Sequence, residues 1–318
     1  MRTFAVIGAG IAGIACAREL ATIGRVTVFD KGRGFGGRLA NRRTEHARFD
    51  HGAQYLTARS AAFRAVVDGW CATGVAAPWR GRIVSLDGAT LTPVVDEARF
   101  VGVPGMSAVV RALAGDLDVR HGVRVGSLAQ VGRRWRLRDD AEGVLGEYDA
   151  VVVAVPAAQA VPLLPLAALA ERAATVRMRP CWAAMVGFAR SVDAAFDGAF
   201  VSAGALSWIA REASKPGRDE NEAWTVHASP AWSTTHLEEE RVEVADALAR
   251  ELVALLGASP PVFVDAHRWR YALVEAPVGE PCLVDADAGL AACGDWCLGA
   301  RVELAYESGR AAAAALAG

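Results

Sequence analysis

Thr3-Phe4-Ala5-Val6-Ile7-Gly8-Ala9-Gly10-Ile11-Ala12-Gly13, continued by an apolar stretch to Arg25-Val26-Thr27-Val28-Phe29-Asp30, is the part of the chain that decides the fold. Thr3–Ile7 and Arg25–Phe29 are apolar runs of strand length, and residues 11–23 carry helical spacing, so the segment reads strand, turn, helix, strand. Gly8 permits the tight turn, Gly10 lets a pyrophosphate approach the backbone, and Gly13 lets helix and strand pack closely. The helix N-terminus at Ile11 and Ala12 attracts phosphate. Asp30, closing the second strand, is placed to accept hydrogen bonds from a ribose. A G-x-G-x-x-G alone is weak, but here strand, helix and acid fall in register, and a bound dinucleotide is expected.

Working outward, the chain has 318 residues, more than one hydrophobic core usually fills, so two domains are expected. With 34 basic and 36 acidic residues the formal net charge is −2, which leaves no electrostatic footprint for nucleic acid or an anionic membrane. The apolar start contains the motif glycines and is followed by a charged helix, unlike a signal peptide. The uncharged run Ala150–Ala170 is interrupted by Pro156, Pro162 and Pro165 and reads as a strand followed by a loop, not as a membrane span. Six cysteines (Cys16, Cys71, Cys181, Cys282, Cys293, Cys297) include no CxxC pair. They read as reduced, mostly buried thiols of a soluble cytoplasmic protein. Cys293 and Cys297 lack partner ligands, so no metal site is expected.

A helix is expected over 59–74, with Phe63, Val66, Val67 and Trp70 on one face, and another over Gly105–Leu113. Strands follow at Leu117–Arg120, Val123–Val131, Arg133–Arg138 and Ala150–Val155. From Cys181 to Trp232 the pattern changes to short Trp-rich strands broken by a polar Gly/Pro loop at 214–222. A long helix over 236–256, a strand Val262–Tyr271, an apolar strand near Gly289–Cys293 and a helix Val302–Leu316 complete the chain. The expected fold class is α/β. A discontinuous Rossmann-type domain with a parallel sheet takes residues 1–62, 100–158 and 287–318. A second, α+β substrate domain with a mostly antiparallel sheet takes 63–99 and 159–286.

Gly36-Gly37-Arg38, shortly after the second strand, resembles the amine-oxidase and glutathione-reductase superfamily of flavoproteins, as does Gly294-Asp295 before a helix. The resemblance implies non-covalent FAD, with Arg38 over its phosphates, Asp295 on the ribityl–pyrophosphate portion, and Lys31, Gly37 and Val123 among the cofactor contacts. The helix starting near Val302 would aim its positive end at the flavin N1/O2 edge. Disulfide reductases are disfavoured, since no cysteine lies between Cys16 and Cys71 and no second G-x-G-x-x-G follows. The only lysines are Lys31 and Lys215, in a phosphate-side loop and a polar loop. Neither suits the lysine that typical amine oxidases place near flavin N5.

Several further runs resemble the renalase family, in its bacterial form: Phe49-Asp50-His51-Gly52-Ala53-Gln54-Tyr55, Val101-Gly102-Val103-Pro104-Gly105-Met106, Ser214-Lys215-Pro216-Gly217-Arg218, Trp224-Thr225-Val226-His227-Ala228, Ala266-His267-Arg268-Trp269-Arg270-Tyr271-Ala272 and Cys293-Gly294-Asp295-Trp296-Cys297. The resemblance runs from Gly8 to Ser308. It implies an oxidase of misreduced dinucleotides, the 2- and 6-dihydro isomers of NAD(P)H, that passes a hydride to flavin N5 and delivers hydrogen peroxide from O2. It also implies that Gln54 and Tyr55 lie beside the flavin, Gln54 as a cofactor contact as well. His227, His267, Trp269 and Tyr271 are candidates for walling the substrate pocket, with a packing role as the alternative for each. Arg42, Arg43 and Arg59 either meet phosphates or solvate a face. Two other readings stay open: a flavin amine oxidase acting on a small organic amine, and a flavin-binding protein without catalysis.

Overall fold

The computed structural model describes residues 1–94 and 97–318. They cluster into two compact units, one of Met1–Arg38, Val110–Met178 and Val274–Gly318, the other of Leu39–Val109 and Arg179–Leu273. These boundaries differ from those read off composition. Residues 39–62 and 100–109 group with the second unit, and 159–178 and 274–286 with the first. Proximity in space between segments distant in sequence, which composition does not report, sets them.

The first unit is built on a six-stranded sheet in the order Leu283–Asp285, Leu290–Ala292, Ala150–Val153, Arg2–Ile7, Gly24–Asp30, Asp118–His121. Every neighbouring pair is parallel except the hairpin formed by the first two strands. Ala150–Val153 is buried at every residue, as expected of a central parallel strand covered on both faces. A three-stranded antiparallel sheet, Val125–Val131, Arg134–Asp139 and Val144–Tyr148, contributes Trp135 and Leu137 to the core. The strand starts at Val125 and not at Val123, because the Val123 N–H donates to Asp30 O at 3.0 Å. After Ala150–Val153 the apolar run continues as helical turns at Ala157–Ala160 and Val161–Leu163 and a helix Ala167–Ala174, where a loop was expected. Pro156 caps the first of these and Pro162 sits in the first turn of the second, positions where a missing N–H costs nothing.

In the second unit a seven-stranded sheet runs Phe263–Ala276, Arg177–Gly187, Ala223–Ala228, Leu206–Arg211, Gly198–Val201, Ile83–Asp87, Thr90–Pro93. It is mostly antiparallel; Gly198–Val201 pairs in parallel with Ile83–Asp87. The fold is therefore α/β, a parallel Rossmann-like sheet and a mostly antiparallel one. Helix Arg241–Leu256 lays Val244, Ala245, Leu248, Ala249 and Leu252 against a core containing Trp182, Ile209, Trp224 and Val226. The helix expected over 236–256 starts later, at Arg241, and a separate short helix precedes it. Pro230–Thr235 is capped by Ser229 Oγ, which accepts from Trp232 N, and the chain breaks before restarting at Arg241.

Within the first unit, helix Val302–Ala317 lies along helix Ile11–Leu20. Contact is so close at Gly309 that an added Cβ would stand 2.0 Å from Ala12 O. Alanine is the better helix former by about 1 kcal/mol, yet Gly309→Ala is expected to lower stability by about 1–3 kcal/mol, the cost of overpacking against backbone. Urea unfolding of the variant beside the native chain measures this.

Candidate functional site

In the first unit the glycine turn is fixed by sterics. Gly8 has φ +114°, and a Cβ on Gly13 would lie 1.9 Å from Gly8 O. Gly8 N donates to Phe29 O at 2.7 Å, which seats the turn on the second strand. The second glycine run closes onto the first: Gly36 N donates to Ala9 O at 3.2 Å, and Gly37 packs over Gly10. Among the described residues, its own chain neighbours aside, nothing lies within 4 Å of a Cβ built on Gly10, so the backbone there faces open space at the start of helix Ile11–Leu20. That bare cradle at a helix N-terminus fits a pyrophosphate.

Asp30 does more than await a ribose. Its Oδ2 accepts from Ala9 N and its Oδ1 from Gly32 N, each at 2.6 Å, so one carboxylate ties both loops to the strand end. Each oxygen keeps a lone pair for a ligand hydroxyl. Lys31 donates to Gln159 Oε1 at 3.1 Å, and burial, then the nearby Arg124, lowers its pKa. Arg38 and Asp295, read as two separate cofactor contacts, meet each other in a bidentate pair at 2.7 and 2.6 Å. Trp296 is buried and donates to Val155 O at 3.0 Å, a packing role. Val302 opens the last helix, and the carboxylate of Glu303, buried in its first turn, already sits in the positive end of that helix. Gly8, Gly10, Ile11, Ala12, Gly13, Asp30, Lys31, Gly37, Arg38, Val123, Asp295 and Val302 thus all lie in the first unit.

The other candidates lie in the second unit, around features that the sequence reading did not assign. Lys215, expected in a polar loop, is buried, because four charged groups compensate one another there. Its Nζ lies 3.0 Å from Glu212 Oε2 and 3.5 Å from Asp50 Oδ2, and Arg218 Nη2 donates to Asp50 Oδ2 at 2.5 Å. Thr225 Oγ1 and Asp50 N donate to Glu212 Oε1, and Met106 N to Asp50 Oδ1. Burial raises Asp50, but Lys215 and Arg218 outweigh it and hold the carboxyl below its ordinary range. Burial raises Glu212, with Lys215 opposing and Asp50 adding, and its carboxyl stays above its ordinary range. Gln54 is locked into this network: its Nε2 donates to Asp50 O and its Oε1 accepts from Lys215 at 2.9 Å. Both ends of the amide are spent within the chain. Tyr55 joins Trp79 and Trp208 in an aromatic group, with Arg99 over its ring at 5.2 Å.

His267, Trp269 and Tyr271 alternate along strand Phe263–Ala276 and therefore share one face. His267 meets Trp269 edge-on at 4.2 Å, and His51, which the sequence reading passed over, stacks on Trp269 at 5.3 Å and meets His267 at 4.8 Å. Trp269 Nε1 donates to His51 O at 2.9 Å. Arg42 Nη2 lies 3.4 Å from His267 Nδ1 while its Nη1 pairs with Asp265 at 2.5 Å. Burial, then His267 and Arg42, keeps His51 neutral down to about 3. Burial, then Lys215, depresses His227 to about 4, and burial, then Arg42, depresses His267 to about 4. Among the described residues the buried His51 Nδ1 has no hydrogen-bond partner, while the His227 ring meets the backbone of His51 and Gly52. The result is a neutral aromatic cluster with a hydrogen-bonding atom to offer, bordered by a guanidinium.

All six cysteines are free, and burial pushes the thiols of Cys181 and Cys297 up to about 12, so neither offers a thiolate nucleophile at neutral pH. Among the described residues no group of three His, Cys, Asp or Glu could hold a metal ion, and no helix is long and apolar enough to cross a membrane.

A parallel sheet with a glycine cradle defines the dinucleotide-binding class of Rossmann-like proteins. Residues 6–70 match the NAD(P)-binding Rossmann-like domain, and residues 87–317 match the flavin containing amine oxidoreductase family. The second match covers well over half of the chain, which belongs to that family. The family carries a flavin, and the cradle fits the dinucleotide form, FAD. Similar solved structures share the fold at low identity. A protein from Exiguobacterium sp. 255-15 designated a protoporphyrinogen oxidase is 15% identical with a TM-score of 0.78, over 98% of both chains. A putrescine oxidase bound to putrescine is 13% identical with a TM-score of 0.69, also over 98% of both chains.

Two outcomes are expected. Lys215→Met strips a buried carboxylate pair of one cation and should cost about 3–5 kcal/mol in chemical unfolding, part of it recovered in Lys215→Met/Glu212→Gln. The three histidines bind protons less readily folded than unfolded, so the unfolded chain holds more protons below pH 6.5. Stability is therefore full above about 6.5 and falls as pH drops toward 4 and 3. A melting-temperature series across that window should show the fall, and His227→Gln should flatten part of it.

Proposed function

We propose that this chain is an FAD-dependent oxidase that removes a hydride from a carbon bonded to nitrogen, and that its substrate is an isomeric dihydronicotinamide dinucleotide. The reaction balances as dihydro-NAD(P) + O2 + H+ giving NAD(P)+ + H2O2. In the 2- and 6-dihydro isomers the hydride-bearing carbon is attached to the ring nitrogen, so the bond broken is of the kind an amine oxidase breaks. Bound FAD would supply the two-electron acceptor.

The observation that carries the substrate reading is the electrostatics of the second unit. His51, His227 and His267 are held neutral, Arg42 borders them, and the buried carboxylates Asp50 and Glu212 are committed to Lys215 and Arg218. The nearby aromatic group meets cations of the chain itself, Arg99 over Tyr55 and Lys215 over Trp79 at 5.6 Å. Such surroundings disfavour an alkylammonium ion and suit a neutral ring carrying phosphates. A dihydropyridine is already reduced, so its oxidation needs orientation and not a general base. Stacked His51 and Trp269 and the open His51 Nδ1 are suited to hold a planar ring and its amide. The residue runs resembling the bacterial renalases support the same substrate.

A second reading, oxidation of a small amine, is favoured by the family itself and by a neighbour in structure bound to putrescine. The burial of Lys215 also weakens the argument from lysine placement, which set it in a polar loop. Anaerobic mixing of the holoenzyme with 2-, 4- and 6-dihydro-NAD(P) and with putrescine, followed in the visible flavin band, separates the two. Rapid bleaching by the 2- or 6-isomer and none by the amine is expected. Bleaching by the amine alone replaces this proposal with the second reading.

A further inference from the structure

His121 closes the edge strand Asp118–His121 of the first unit's parallel sheet, directly opposite Asp30 in the register. Its ring is held in place: Phe35 meets it edge-on at 4.7 Å and 86°. The residues after it are tied to the Asp30 loop, since Gly122 N donates to Gly32 O at 2.9 Å and Val123 N to Asp30 O at 3.0 Å. Yet both ring nitrogens, Nδ1 and Nε2, are buried without a hydrogen-bond partner among the described residues. Two such atoms on one ring are costly to leave unpaired, and buried polar groups in folded proteins are nearly always paired.

We infer that His121 is a cofactor-binding residue that hydrogen-bonds the adenosine end of the bound flavin dinucleotide. Position selects that end. In a glycine-turn dinucleotide fold the acid closing the second strand faces the adenosine ribose, and His121 is the lateral neighbour of that acid. Register partners on neighbouring strands present their side chains to the same face of a sheet. Chemistry agrees: a neutral imidazole offers one donor and one acceptor, which matches the paired donor and acceptor edges of adenine and the hydroxyls of ribose. Lys31 and Arg124 add positive charge nearby, and Asp30 is left free to hold the two loops. The assignment concerns the cofactor and stands whichever substrate is oxidised.

His121→Phe tests it, because phenylalanine keeps the ring against Phe35 and removes both nitrogens. In deflavinated full-length protein, FAD affinity, followed by flavin fluorescence, and ADP affinity, by competition, should both weaken about tenfold. FMN, which lacks adenosine, should bind unchanged, and the melting temperature of the deflavinated variant should be equal or higher. His121→Gln, which restores a donor and an acceptor, should bind ADP more tightly than His121→Phe. Should His121→Phe not fold, His121→Leu carries the same comparison. Native-like FAD and ADP affinity in the variant overturns the inference. So do equal ADP binding by the Gln and Phe variants, failure of the native chain to bind ADP, or a joint loss of FMN affinity and apoprotein stability. None of these readouts involves turnover, so a failed substrate reading leaves this test intact.

Discussion

Four buried charges, Asp50, Glu212, Lys215 and Arg218, set the terms for the second unit. None could be taken out of water alone without a penalty of several kcal/mol, and together they carry no net charge. The requirement that they meet draws three separate stretches together: residues 50–54, the turn before Met106, and the short helix at Glu212–Ser214 with the loop that continues it to Arg218. Gln54 is immobilised as a result. Its place beside a chemically interesting run reflects this scaffolding, since both ends of its amide are used by the chain. The same network adds Lys215 to the influences that keep His227 neutral.

In the first unit one carboxylate has a comparable part. Asp30 binds the backbone of the phosphate turn through one oxygen and of the second glycine loop through the other. A cofactor phosphate needs backbone N–H groups already aimed at it, and rigidity at the strand end supplies this. Arg38 and Asp295 show the same economy. Each is chemically suited to a cofactor, and they hold one another in a bidentate pair that joins the second glycine loop to the turn before the last helix.

Membership of the flavin containing amine oxidoreductase family settles the reaction type more firmly than the substrate. The placement of the lysines weighs against an amine substrate only while Lys215 is taken as a residue of a polar loop, and within its loop Lys215 is buried among charged partners. The case for a dihydronicotinamide rests instead on charge: the aromatic and histidine-rich part of the second unit is neutral or positive, which an ammonium ion would meet at a cost. An amine oxidase and a dihydropyridine oxidase both break a C–H bond beside nitrogen, so one family accommodates either substrate. Their difference lies in the side chains that receive it.

From the sequence by itself came the glycine turn, the strand–helix–strand unit around it, Asp30, the second glycine loop, the turn at Gly294-Asp295 and the change to Trp-rich strands. These are local patterns, in which backbone conformation and hydrophobic period are written residue by residue. The alternation of His267, Trp269 and Tyr271 on one strand face was equally legible. Tertiary structure alone decided that Lys215 is buried, that His51 joins His267 and Trp269, that Arg38 pairs with Asp295, and that residues 39–62 belong with the second unit. Each of these joins residues from tens to hundreds of positions apart. Burial and pairing energies depend on distance in space, and no spacing along the chain records it.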